Sequence, residues 1–446
     1  MRPASFTSIA MLGILFVGGA GVARAQDSTA AEARPTGLPK GVHWTFNIDA
    51  GMGAFGFGNS LYINNREDPS GDLSDNWAES YVKPALSGWI GLGTSQMYAG
   101  ISAVGERTFA APPPLVGTEA ASFGPENLYV GWRSGTSVGS SENLLDVSVG
   151  RQVYTIGHGM LLWDGAAEGG SRGAFWSNAR KAWAFAGIVR VHPKIHTFEA
   201  FYLDRSQIPG FDENPRVWGG NYEIAPTERT TLGATYMQTL SDSSPQRDGM
   251  NVFNLRAYTA PFTRLPELSF EAEYVREDNG DLISSTAWTA QAAYQFGGSW
   301  APRLSYRYAF FEGDDPTTST NEGFDPLFTG FYDWGTWWQG EIAGEYFLSN
   351  SNLISNQVRL GFTPSGAVGT GLIGYVFTLD QSDWYGIPVT SKSLATELDL
   401  YMDWKANSNF TISVLAAIAN PGAAVAQAVG RTENFIYGMA YVSYAY

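Results

Sequence analysis

The chain has 446 residues, no cysteine, 52 glycines and 14% aromatic residues, and its 27 Lys and Arg against 43 Asp and Glu leave a net charge of -16. Thiolate metal or redox centres and a disulfide scaffold are therefore excluded, and the apolar and aromatic content is too high for a disordered chain. The acidic balance argues against a nucleic-acid partner, because phosphate contacts need a basic face.

Arg2, the apolar run Ile9 to Val22 and the small-residue motif Ala23-Arg24-Ala25 have the build of a secretory signal. They predict cleavage after Ala25, a short polar segment over residues 26–40 and one barrel domain over 41–446. Beyond the signal no uninterrupted apolar run reaches the about 20 residues that a spanning helix needs. The most tempting one, Val414 to Val429, is broken by Asn420-Pro421-Gly422.

Period-two alternation begins at once. Trp44, Phe46, Ile48, Ala50 and Met52 alternate with Thr45, Asn47, Asp49 and Gly51. The same pattern returns at Leu268, Phe270, Ala272 and Tyr274, at Trp288, Ala290, Ala292 and Tyr294, at Leu304, Tyr306, Tyr308 and Phe310, and at Leu398, Leu400, Met402 and Trp404. This is the strand signal. Trp288, Tyr308, Trp404 and Tyr274 fall at the ends of outward rows, where an outer-membrane barrel carries its aromatic girdles. Val442, Tyr444 and Tyr446 continue the alternation, and a strand edge so aromatic needs a partner, which barrel closure supplies. About 405 residues at about 22 per strand and connection give an all-β, antiparallel up-and-down transmembrane barrel of about 18 strands, with 16 as the even alternative. Polar stretches at Asn65 to Asn76, Ala110 to Glu126, Asp164 to Asn178, Asp204 to Arg216 and Glu312 to Tyr332 read as extracellular loops. Pro364-Ser365-Gly366 and Asn407-Ser408-Asn409 read as periplasmic turns. Gly53 to Gly58, despite its glycines, lacks the strand-to-helix context and the Lys of a phosphate loop and reads as a strand end or turn.

Strand arginines should face the lumen, since Arg on the lipid face near the midplane costs about 2–4 kcal/mol. Parity turns Arg133, Arg190, His192, Arg256, Arg303, Arg307 and Arg359 inward. In the strand of Arg190 and His192 it turns Trp183, Phe185, Val189 and Val191 outward. Parity also makes Glu271, Glu273, Glu341, Glu345, Glu397, Asp399 and Asp403 lumenal, so salt-bridge ladders are an alternative use for the arginines. Between Arg151 and Arg205 seven basic residues face four acidic ones, and His158, His192 and His196 lie in the same stretch. Such a local basic zone concentrates anions in a low-dielectric passage. Arg151 shares the parity of Leu145, Val147 and Val149, so a regular strand turns it to lipid and Gln152 to the lumen, unless a bulge at Gly150 reverses the order.

Two stretches carry a family resemblance. Val149-Gly150-Arg151-Gln152, Gly157-His158-Gly159-Met160-Leu161, Arg172 and Asn178-Ala179-Arg180 form one; Tyr308 to Asp315 and Glu322-Gly323-Phe324-Asp325-Pro326-Leu327-Phe328 form the other. Both resemble segments of the alginate-export outer-membrane family. The resemblance implies an 18-stranded monomeric channel whose arginine-lined lumen conducts an acidic polysaccharide outward, and it adds Arg151, Arg172 and Arg180 to the solute path. It also implies contact with outer-membrane lipid and lipopolysaccharide, and periplasmic export partners. Asp314, Asp315, Glu322 and Asp325 are a weak Ca²⁺ candidate or a solvated loop; no other cofactor is expected. His192 and His196 lie near no Gly-x-Ser-x-Gly element, so no catalytic site is expected. Three functions stay open: a passive channel for an anionic saccharide or another organic anion, selected by lumenal arginines and gated by extracellular loops; a general or neutral-solute porin; and a non-conducting barrel acting as adhesin or scaffold.

Overall fold

The computed structural model describes residue 41 onward, apart from residues 60–74, 111–119, 140, 164, 167–171, 175, 178, 206–214, 242 and 331–338. The predicted signal and the 26–40 segment lie outside the described residues. Twenty strands follow: β1 Val42–Gly58, β2 Asp75–Leu92, β3 Ser95–Phe109, β4 Ala121–Arg133, β5 Leu145–Gln152, β6 Trp183–Val191, β7 His196–Asp204, β8 Arg216–Thr227, β9 Thr230–Leu240, β10 Asn251–Thr259, β11 Leu268–Asp278, β12 Ser284–Gln295, β13 Arg303–Phe311, β14 Leu353–Ser365, β15 Val368–Thr378, β16 Asp383–Trp384, β17 Ile387–Pro388, β18 Ser393–Lys405, β19 Phe410–Pro421 and β20 Phe435–Ala445. All but the small β16–β17 hairpin belong to one 18-stranded antiparallel sheet in which neighbours in sequence pair.

The sheet closes on itself. β1 pairs β2 on one side and β20 on the other, with Asp49 opposite Ala445 and Gly58 opposite Ile436. Two further bonds extend the seam, Ile48 N–H to the Tyr446 carbonyl at 3.0 Å and Tyr446 N–H to the Ile48 carbonyl at 2.9 Å. Closure leaves no edge strand, which is how a barrel satisfies every backbone group in hydrocarbon.

The predicted parity holds along most strands. In β13 Leu304 and Tyr306 are exposed while Ser305, Arg307, Ala309 and Phe311 are buried. Trp288, Tyr274 and Trp404 are exposed outward, and Tyr308 stacks on Trp288 with ring centroids 4.8 Å apart. One reading fails. Trp183 is fully buried, its indole N–H donating to the Tyr154 carbonyl at 3.0 Å. A register shift between β5 and β6 at Gly150/Gln152 inverts parity there, and Gly150 has a φ of +127° that suits glycine.

Connections alternate in length, short at one end of the barrel and long at the other. The turns 366–367 and 406–409 lie at the short end, as expected of the periplasmic side, and the long connections 153–182 and 312–352 at the other. Two boundaries move. β4 starts at Ala121, inside the stretch read as a loop, and the β13–β14 connection runs on to residue 352, so Glu341 belongs to a loop and not to a strand. That loop carries a single π-helical turn at Ala343–Phe347.

Candidate functional site: the barrel lumen

The long loops fold inward and dock on one another. Trp163 N–H donates to the Phe328 carbonyl, Phe328 N–H to Leu161 and Gly330 N–H to Gly159, each at 3.0 Å, so the two connections form a small ladder inside the barrel. Leu162 and Phe328 are both buried. On the β20–β1–β2 side, Phe55, Phe57, Trp77, Trp176, Tyr346, Phe435 and Tyr441 build an aromatic core between wall and loops. That side of the lumen is filled.

Wall carboxylates hold the loops in place. Glu79 on β2, fully buried, accepts from Trp176 N–H at 2.8 Å, from Ser177 N–H at 2.8 Å, from the Ser177 hydroxyl at 2.9 Å and from the Trp77 indole at 2.9 Å. Glu126 on β4 accepts from Lys181 and Ala182 N–H at 2.7 and 3.0 Å. Four strands round from β2, Glu397 on β18 accepts from Ile342 and Ala343 N–H at 2.8 and 2.7 Å, while Asp399 takes the Glu341 N–H at 3.4 Å. Each buried carboxylate satisfies donors that a lumenal loop would otherwise leave unpaired. Parity places Glu397 and Asp399 in the lumen, though not as loop anchors; Glu79 was missed, and Glu126 reads in the sequence as the end of a loop.

Of the predicted arginines, Arg133, Arg180, Arg190 and Arg256 are in ion pairs. Arg133 Nε lies 2.8 Å from Asp146 Oδ2, and its guanidinium sits over the Tyr98 ring. Arg190 Nε lies 2.6 Å from Glu199 Oε1. Arg256, buried, reaches Glu223 at 2.7 Å, Asn254 and Thr235 at 2.9 and 2.8 Å, and Asn221 at 2.5 Å. Arg180 lies not on a strand but in the β5–β6 loop, where it is buried against Glu106 at 2.5 Å and Ser122 at 3.1 Å. Arg172, in the same loop, donates to the Ala166 carbonyl at 3.4 Å. His192 sits at the short-turn end, its Nδ1 3.2 Å from the Thr197 hydroxyl. Arg151 keeps its register opposite Leu128, itself exposed on the outer face, and donates Nε to the Glu126 carbonyl at 3.0 Å, while Gln152 is buried and donates to the Ala186 carbonyl. The bulge therefore acts on the β6 side and leaves Arg151 on the outward row.

A different wall faces this one. Strands β12, β13, β14 and β15 contain Arg303, Arg307 and Arg359 and no acidic residue. Arg359 pairs with Ser305, between Arg303 and Arg307, so the three guanidiniums occupy neighbouring lumenal positions. Arg307 is buried and donates Nε to Gln291 at 2.9 Å; Arg359 donates to the Tyr401 hydroxyl and lies over its ring; Arg303 is exposed toward the short-turn mouth. Glu271 borders the patch and lies within electrostatic reach of Arg307 and Arg303.

The acidic cluster of the β13–β14 loop is locally committed. Asp315 accepts from Thr317 N–H and hydroxyl, and these bonds hold its carboxyl below the ordinary range. Glu322 is likewise held low by the Thr318 hydroxyl, and Asp314 accepts the Glu322 N–H at 3.1 Å. Asp325 forms a two-point ion pair with Arg247, at 2.6 and 2.7 Å. Burial pushes the Asp325 carboxyl up, but the Arg247 guanidinium and its hydrogen bonds outweigh it and leave it low. Among the described residues no group of three or more metal-ligating side chains is assembled.

Comparison with known proteins gives the same architecture. The family described as alginate export matches residues 126–439. No curated protein sequence matches the chain. Among solved structures, Acinetobacter baumannii OccAB2 is 13% identical with a TM-score of 0.58, covering 90% of this chain and 98% of its own. Pseudomonas aeruginosa OccK5 (OpdH) is 10% identical with a TM-score of 0.57, covering 90% and 97%. Pseudomonas aeruginosa OpdK, solved with vanillate, is 11% identical with a TM-score of 0.56, covering 90% and 98%.

Proposed function

The chain belongs to the alginate-export family, a passive channel of the bacterial outer membrane, and from that premise we propose that the solute it passes is anionic and is selected by Arg303, Arg307 and Arg359. The observation that carries this reading is the absence of any acidic residue from four consecutive strands that hold three arginines. In a narrow passage bounded by low-dielectric walls, a fixed cluster of one sign concentrates the opposite ion and repels its own. Several wall acids are committed elsewhere: Glu79, Glu126 and Glu397 to loop N–H groups, and Glu106, Asp146, Glu199, Glu223 and Asp325 to basic side chains.

An acidic saccharide fits a row of guanidiniums because a uronate carboxylate can take a two-point bond from an arginine. A small organic carboxylate is the second reading, favoured by the loops that fill one side of the lumen and by the vanillate in OpdK. No step of either reading is catalytic. Lipid and lipopolysaccharide surround the outward rows, and a single barrel suffices for passage; export would need periplasmic partners that deliver the polymer.

The test is the reversal potential of the refolded chain in a planar bilayer under a salt gradient, with wild type and Arg303→Ala/Arg359→Ala compared. Anion preference that falls several-fold in the double variant is the expected outcome. Cation preference in the wild type sinks the anion reading, and absence of current sinks the channel.

A further inference from the structure

The tip of the β5–β6 loop reaches the wall at β10 and β11. His158 stacks on Tyr258 of β10, ring centroids 4.2 Å apart and planes 22° from parallel, and its Nδ1 lies 3.4 Å from Glu271 Oε2 of β11. Its backbone N–H reaches the Tyr258 hydroxyl at 3.3 Å. The tip is shaped for this approach. Gly157 and Gly159, with φ of +56° and +85°, flank the histidine, and a Cβ at 157 would stand 2.7 Å from the Tyr258 hydroxyl and 2.9 Å from Arg256 Cδ. The same tip is tied to the second long loop through Gly159 and Leu161, so the two are coupled at this point. On the turn side of the contact lies a cavity of ≈ 410 Å³, lined by Arg229, Thr231, Tyr258, Ser269 and Glu271 among others.

We propose that His158 and Glu271 form a proton-operated latch that holds the inward-folded loops across the pore. This rests on the channel reading above and adds its regulation. The groups facing the imidazole are Glu271 and Glu273 from β11 and Tyr258 and Arg256 from β10, with Arg303 and Arg307 of β13 around Glu271. Glu271 favours the imidazolium; Arg256 opposes it but is bonded to Glu223. The charged pair is present at pH values where the imidazole is protonated and is lost as pH rises through its titration, which for histidine falls between about pH 5 and 8. The latch is closed in acid and released toward neutral or alkaline pH.

Two readouts on the full chain test it. The chain has no cysteine, and Met160, two residues past the latch, is 1% exposed. In Met160→Cys, labelling by a water-soluble methanethiosulfonate, normalised to the denatured chain at the same pH, rises several-fold between about pH 5.5 and pH 7.5. Adding His158→Gln, which keeps a hydrogen-bonding side chain without a titratable one, flattens that step, and Glu271→Gln shrinks it. Open-channel probability in bilayers follows the same order. The latch is overturned if Met160→Cys alone shows no normalised step, or if His158→Gln keeps the full one. Because the labelling needs no current, a barrel that fails to conduct, or conducts without anion preference, counts against the channel reading and leaves the latch to be decided by the thiol.

Discussion

Strands β1–β11 together with β18, and strands β12–β15, place charge on the same inner surface for different ends. In the first group the acids have structural partners: Glu79, Glu126 and Glu397 each bind two consecutive loop N–H groups, and Asp146, Glu199 and Glu223 pair with an arginine. In the second the arginines have no acid on their own or adjacent members of the set. The difference teaches that a lumenal charge cannot be assigned to transport by orientation alone. A carboxylate facing inward can be a structural ligand for a loop, and a guanidinium facing inward can be its counter-ion; what sets β12–β15 apart is that these four strands carry charge of one sign only.

That distinction predicts a double dissociation. The largest effect is expected for Glu79→Ala, which leaves buried N–H groups of Trp176 and Ser177 unsatisfied and should cost about 3–5 kcal/mol. Denaturant unfolding of the refolded barrel reads the loss, and bilayer conductance should rise while ion preference stays put. Arg303→Ala/Arg359→Ala should do the reverse: a several-fold fall in anion preference by reversal potential, with a stability change within about 1 kcal/mol, because exposed or half-exposed guanidiniums contribute little. A combined loss of stability and selectivity in both variants would erase the distinction between the walls.

Smaller effects sharpen it. Arg247→Ala removes the partner of Asp325 and should weaken the β13–β14 loop by about 2 kcal/mol. Since the Asp325 carboxyl is held low, the stabilisation is complete above the ordinary carboxylate range and fades as pH falls through the depressed value. Protease protection of the wild-type loop should thus persist at about pH 4 and be lost there in the variant. Gly233→Ala puts a Cβ 2.6 Å from Arg256 Cζ; the guanidinium must shift, at about 1 kcal/mol, and a small drop in unfolding midpoint without change in ion preference would keep Arg256 on the structural side of the comparison.

The barrel was legible because strand parity is a local property. A two-residue period, aromatic row ends and turn residues survive in the sequence whatever the distant partners are, and they located Arg133, Arg190, Arg256, Arg303, Arg307 and Arg359 on the inner face. Trp183 escaped because β6 carries one extra residue between Trp183 and Ala186, opposite Gly150–Gln152, which inverts Trp183 relative to the rest of its strand without changing composition. The family resemblance puts Arg180 on the solute path, but its pairing with Glu106 escaped for another reason: it joins a loop to a strand 74 residues away, and no periodicity encodes such a contact. The signal that could have flagged the anchors is an inward acid on a strand whose neighbours lack a matching base, as at Glu79 and Glu126.

The seam between β1 and β20 joins Asp49 to Ala445, about 400 residues apart along the chain. A pairing this remote gains nothing until every intervening hairpin is in place, because the entropy of closing so long a segment is recovered only when its ends are already held near each other by the rest of the sheet. Until then the molecule is a curved sheet with two open flanks, each able to capture a strand from another chain. The order of assembly is therefore written into the topology: hairpins first, seam last, with the final join as the step most exposed to error.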